Sequence, residues 1–106
     1  MSRRERDKGR TGELEVRRVY EAAGLEVRGL EATGDHLVIG GALTLHSESK
    51  RQEVARPWAW IEQAEAEAPV GTVPVVAFRR NRSRWYAIVP LKPFAAIVQQ
   101  SGGVEP

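Results

Sequence analysis

Apolar and polar positions follow two rhythms along this chain. Val16, Val19, Tyr20 and Ala23 recur at i, i+3, i+4 and i+7, the spacing of one helix face. Gly24 follows as a residue able to end that helix, so the pattern predicts a helix over 11–23. Residues 25–30 read as an edge strand, closed by a turn at 31–34. From Gly34 to Arg51 the period changes to two. Leu37 and Ile39 share a face with Asp35, while Val38 and Leu45 point the other way, as in a central strand covered on both sides. The paired glycines Gly40-Gly41 between the apolar runs predict a tight hairpin. With those two as the turn, Asp35 lies opposite His46, and Asp35, His46, Glu48 and Lys50 share one face. Asp35 and Glu48 are then diagonal neighbours, about 7–8 Å apart at the backbone. A slip of one residue would turn Asp35 to the other face.

Pro57 opens a second helix, predicted to run to about Ala68 and to stop before Pro69 and Gly71. Trp58, Ile61 and Ala64 fit its buried stripe, and Trp60, Gln63 and Glu67 form a second one. Two more strands, 73–80 and 85–89, flank an Asn81-Arg82-Ser83-Arg84 turn. Pro90 closes the last strand. Residues 91–100 make a short helix whose Phe94, Ile97 and Val98 offer a face for the sheet or for a second subunit. The order helix, strand, hairpin, helix, strand, strand, helix predicts an α/β fold: a central mixed β-sheet of about five strands flanked by helices. At 106 residues this is one domain, with 1–8 as a flexible basic arm and 101–106 as a tail.

The hairpin face carries the chemistry. Two carboxylates aimed at one point repel unless a cation or proton sits between them. Oxygen ligands in modest number suit Mg2+ or Mn2+. An ammonium beside them, Lys50, can hold an attacking water or offset charge on a phosphoryl oxygen. Glu13 continues the inward stripe of the first helix, three residues before Val16. Such a carboxylate can favour the helix N-terminus, pair with an arginine, or join the acids. Gly9 and Gly12 beside it would let a phosphate approach the backbone, which favours the last. His36 and His46 face opposite sides in the predicted register, so a two-histidine site is not expected. His46, on the acidic face, is either a half-buried strand residue or a hydrogen-bond partner of a carboxylate or water.

Lys8-Gly9-Arg10-Thr11-Gly12-Glu13, Gly34-Asp35, Glu48-Ser49-Lys50-Arg51 and Trp60-Ile61-Glu62-Gln63-Ala64-Glu65, in that order, resemble the PD-(D/E)XK nuclease superfamily. Within it they resemble the small Holliday junction resolvase-like enzymes of archaea and phages. The resemblance implies a restriction-endonuclease-like core with Glu13, Asp35 and Glu48 as metal-facing acids and the Ser49 carbonyl as a further ligand. It also implies Lys50 as the catalytic lysine and Gln63 as a helper on the following helix. The chain departs from the pattern at Ser47 and Ser49, where apolar residues flank the acid, and at His36, where an apolar residue is expected.

The chain has no cysteine, which excludes disulfides, zinc–thiolate sites and cysteine nucleophiles. No apolar run approaches the roughly 20 residues of a membrane span, and a basic N-terminus without an apolar stretch predicts an intracellular, cytoplasmic protein. The net charge of +2 matters less than its distribution. Basic residues crowd two stretches: Arg3, Arg4, Arg6, Lys8 and Arg10, then Arg79, Arg80, Arg82 and Arg84, with Arg51 beside the catalytic lysine. Such clusters next to Trp85 and Tyr86 suit phosphate contact and base stacking. Together these features lead to a Mg2+- or Mn2+-dependent endonuclease for branched DNA. A four-way junction has two symmetric strands to cut, so a homodimer is expected. The alternatives are a catalytically silent nucleic-acid-binding module, a nuclease for nicked, flapped or duplex DNA, and a structural domain whose acids are surface charge.

Overall fold

Residues Arg3–Ala22 coil into one continuous helix, α1. The structure, a computed structural model, describes residues 3–30 and 34–100, with only the backbone of residues 4–8. The helix therefore starts well before the expected position 11, and most of the supposed basic arm is its first two turns. It ends as expected. Gly24 takes φ +88°, its N–H reaches the Glu21 carbonyl at 2.9 Å, and the Leu25 N–H reaches that of Tyr20 at 3.2 Å. Those two bonds form a left-handed glycine cap that satisfies carbonyls at the helix end.

Strands β1 (Glu26–Leu30), β2 (Asp35–Ile39) and β3 (Leu45–Arg51) follow, then helix α2 (Pro57–Glu67), strands β4 (Val73–Arg79) and β5 (Tyr86–Ile88), and helix α3 (Leu91–Gln100). The strands form a five-stranded mixed sheet in the order β1-β2-β3-β4-β5. Only β3 and β4 are parallel, joined by the α2 crossover, and the other pairs are antiparallel.

The β2–β3 register differs from the tight-hairpin expectation. His36 pairs with Ser47, Leu37 with His46 and Val38 with Leu45, so the connection spans residues 40–44. This is a shift of two, which preserves the face of every side chain. Continued by one residue, it places Asp35 directly across from Glu48, where a diagonal was expected.

Successive β3 side chains settle which helix covers which face. Ser47 meets the Tyr20 hydroxyl of α1 at 3.0 Å, while Lys50 meets Gln63 of α2 at 2.9 Å. The two helices therefore lie on opposite sides of the sheet. On the α2 side Trp60 and Ala64 bury Val76, with Phe78 and Ile88 packed against them. Trp58 is 76 % exposed, so the expected stripe keeps Ile61 and Ala64 and exchanges Trp58 for Trp60, while Gln63 and Glu67 of the second stripe are exposed. On the α1 side Val16 is buried, whereas Val19 of the same expected stripe is exposed. Gly12 lies inside α1 against the sheet, where a Cβ would sit 3.3 Å from Arg51 Cβ and 3.4 Å from Trp85. Its small size serves helix–sheet contact, which replaces the expected approach of a phosphate.

Polar groups on the α1 side are tied together across the chain. Glu15 Oε2 accepts from Arg79 Nη1 at 2.9 Å and from Trp85 Nε1 at 2.8 Å, and the Arg79 guanidinium lies 5.8 Å from the Trp85 ring centre. This pair anchors α1 to the end of β4. Glu15→Ala strands both donors in a partly buried place and should cost about 1–3 kcal/mol, read from urea unfolding. Helix α3 buries none of its residues, and its Leu91, Phe94 and Val98 are exposed, so it does not dock on the sheet.

Candidate functional site

The parallel strands β3 and β4 deliver the polar residues to one end of the sheet. Glu48 pairs with Val76 midway along the two strands, and Lys50 with Phe78 and Arg51 with Arg79 lie at their C-terminal ends, where open α/β sheets place their ligands. Asp35 begins β2 and, running antiparallel, meets β3 at the same level. A glycine makes its approach feasible. Gly34 holds φ +76°, and a Cβ there would stand 2.6 Å from Glu13 Oε1. Any other residue would be strained at that backbone angle and would push against the Glu13 carboxylate. Glu13, Gly34 and Asp35 line an open cleft of about 430 Å³ with Arg17, Gly29 and His36.

Asp35, His46 and Glu48 are all buried, and one donor atom from each lies within 4.8 Å of the other two. The Asp35 Oδ2 to His46 Nε2 separation is 3.5 Å. As a carboxylate Glu48 meets no hydrogen-bond donor on either oxygen, though the residue is only 2 % exposed. Burial pushes the Glu48 carboxyl up to about 8, with nearby Glu67 and Asp35 adding to the effect and Lys50 opposing it. As two carboxylates, Glu48 and Glu67 have no donor between them. A proton on Glu48 supplies one, and accepting that bond holds Glu67 below the ordinary carboxylate range. Glu13 is also raised, first by burial and then by Asp35, with Arg10 pulling it down. Asp35, His46 and Glu48 are the residues that could hold a cation.

Above them a short relay runs from Lys50 through Gln63 back to Glu67. Lys50 Nζ donates to Gln63 Oε1 at 2.9 Å, and Gln63 Nε2 donates to Glu67 Oε1 at 3.2 Å. The expected lysine and glutamine are thus in contact. Glu67, four residues after Gln63 and on the same helix stripe, belongs with them. His46 belongs with the acids. Its position two residues before Glu48 was the available signal, since residues two apart on a strand share a face.

The expected departures have local explanations. Ser47 is fully buried and bonded to Tyr20, whose own hydroxyl is raised by burial. Ser49 turns its side chain to the α1 side, with a buried Oγ that has no partner, so its carbonyl is the only group it can offer the site. His36 is buried under α1 with its pKa lowered by burial and then by Arg17, so it packs as a neutral ring in an apolar position.

The basic residues divide. Arg80, Arg82 and Arg84 are exposed on the β4–β5 connection, where Arg82 takes φ +63° at the turn. Arg3 and Arg10 are exposed along α1, and Arg51 is half-buried at the end of β3. Arg79 differs from expectation, because its guanidinium is held by Glu15 and Trp85. The side chains of Arg4, Arg6 and Lys8 lie outside the described residues. A groove of about 580 Å³ at this end is bordered by Gln52, Val54, Arg79, Arg80, Ser83 and Tyr86. Among the described residues no helix is long and apolar enough to cross a membrane. Comparison with protein-family models, curated proteins and solved structures finds no match to this chain.

Proposed function

We propose that this chain is a metal-dependent DNA endonuclease of the PD-(D/E)XK type that acts on branched DNA, with the four-way junction as its preferred substrate. The observation that carries the reading is Glu48. A wholly buried carboxylate that meets no donor when ionised, across from Asp35 and beside a lysine, is costly to maintain in a fold and useful with a cation. The donor set fits a divalent ion, held by Asp35 and Glu48 with Glu13 at the mouth of the cleft. Such an ion, Mg2+ or Mn2+, would lower the pKa of a water and offset charge on the phosphoryl oxygens.

The chain's own groups supply the remainder. Lys50, oriented by Gln63, places an ammonium beside the acids, where it can hold the attacking water or neutralise the non-bridging oxygen. Arg80, Arg82 and Arg84, with Arg10 and Arg51, lie towards the same end of the sheet as the acids and would grip the sugar–phosphate backbone without reading bases. A C2 homodimer would present two such sites to the two strands of a junction. An intracellular place of action follows from that substrate.

The test is a cleavage panel. Protein stripped with EDTA is mixed with labelled four-way junction, flap and linear duplex DNA in Mg2+, Mn2+ or Ca2+. Cutting is expected with Mg2+ or Mn2+, greatest on the junction, and absent with Ca2+. Arg82→Ala and Arg84→Ala should each weaken DNA binding and lower the salt slope by about 1 per lost phosphate contact. Salt-sensitive binding with no cutting by any ion would replace the enzyme with a silent DNA-binding module of the same fold.

A further inference from the structure

We propose that His46 is a third metal donor at this centre, and that the site therefore takes a borderline transition cation, Mn2+ ahead of Mg2+. The nuclease reading underlies the use made of the ion, while the donor set itself stands on geometry. His46 is 2 % exposed and shares its strand face with Glu48. Its Nε2 stands 3.5 Å from Asp35 Oδ2. That is longer than the roughly 2.7–3.2 Å of a good N–H···O bond. It lies not far above the separation of about 3.0 Å between neighbouring donors each about 2.1 Å from one ion in an octahedral shell. Glu48 completes the set, with one donor atom from each of the three residues within 4.8 Å of the others.

A further observation points to a ligand. Glu48 is 2 % exposed and meets no donor when ionised, so a cation is wanted between it and its neighbours. Donor chemistry decides the identity of the ion. Mg2+ demands oxygen ligands and keeps its water, whereas an imidazole nitrogen is accepted by first-row transition ions, least strongly by Mn2+ and more strongly by the later ones. A neutral imidazole adds this selectivity without adding negative charge to a centre that already holds two buried carboxylates.

Direct binding tests the proposal. The full chain, stripped with EDTA, is titrated with Mn2+ and with Mg2+ by calorimetry, and the Mn2+ complex is examined by pulsed EPR for a directly bound nitrogen. Mn2+ should bind more tightly than Mg2+ by about tenfold or more, with a 14N coupling from imidazole. His46→Gln should lose about tenfold or more in Mn2+ affinity and leave Mg2+ affinity nearly unchanged. Asp35→Asn should weaken both. Mn2+ bound without nitrogen coupling, or an unchanged Mn2+/Mg2+ ratio in His46→Gln, overturns the proposal and leaves Mg2+-supported cleavage of DNA standing. A wild-type chain that binds neither ion removes this proposal and the nuclease reading together. Because the EPR is read on the wild type, a variant that folds poorly does not protect the proposal.

Discussion

Glu48→Gln is expected to make the metal-free protein more stable at pH 8 while destroying its ability to cut DNA. The sign follows from the raised carboxyl. In the unfolded chain a glutamate loses its proton near 4.5, and in the folded one Glu48 holds it up to about 8. Between those values the native state binds more protons than the unfolded state, so stability falls as pH rises. The contribution is whole below pH 4.5 and lost above about 8. A neutral amide removes that slope, and its N–H groups can donate to Asp35 or Glu67. The gain at pH 8 should be about 1–3 kcal/mol, less than the full shift implies because the buried amide also carries a desolvation cost. Removing one metal carboxylate should meanwhile cost cleavage on the order of 10³-fold. Added Mn2+ should raise the wild-type melting temperature and leave that of the variant nearly unmoved. A wild-type stability profile that is flat in EDTA from pH 5 to 8 would show that Glu48 bears no such burden. His36 acts in the other direction. Its lowered pKa means that stability present above the ordinary imidazole range is lost on acidification.

The two faces of the β2–β3 hairpin were legible because strand geometry preserves parity. Gly40 takes a positive φ as expected, yet Ala42, Leu43 and Thr44 join the connection, and the pairing moves by two. That error leaves Asp35 and Glu48 together, whereas an error of one would have separated them. The start of α1 was not legible for a different reason. Between Arg3 and Glu13 there is no large apolar residue, so no periodicity could announce a helix. The tryptophans of α2 show a third limit. Trp58 and Trp60 each begin an acceptable stripe, and docking on Val76 and Phe78 takes Trp60 from one and Ala64 from the other. Contacts across long sequence distances were beyond reach altogether. Glu15 meets Arg79 and Trp85 through the approach of α1 to β4, which no local pattern encodes. Glu67 is intermediate, because its place after Gln63 was readable and its closeness to Glu48 depends on how α2 crosses β3.

Lys50→Met should separate chemistry from binding more cleanly than any other change. Glu67 ionises readily, and an ionised carboxylate can only accept hydrogen bonds. The Gln63 amide must therefore turn its N–H towards Glu67 and its oxygen towards Lys50, which is the arrangement seen. The ammonium is held by an acceptor outside the metal-facing cluster, so removing it leaves Asp35, His46 and Glu48 in place. Methionine keeps the length of the stem and loses the charge. Cleavage should fall about 10²–10³-fold if the ammonium stabilises charge that develops only in the transition state. Junction affinity, set by the arginines, should stay within a few-fold. Lys50→Arg should not rescue, because a planar guanidinium cannot occupy the place of a compact ammonium against one amide oxygen. Gln63→Leu frees the lysine without discharging it and should cost about tenfold, with Glu67→Gln similar because the amide loses its fixed direction. Single-turnover cleavage and binding measured on the same junction distinguish these outcomes. If Lys50→Met cuts at the wild-type rate, the ammonium has no part in the chemistry, and water activation must be sought among the carboxylates and His46 alone.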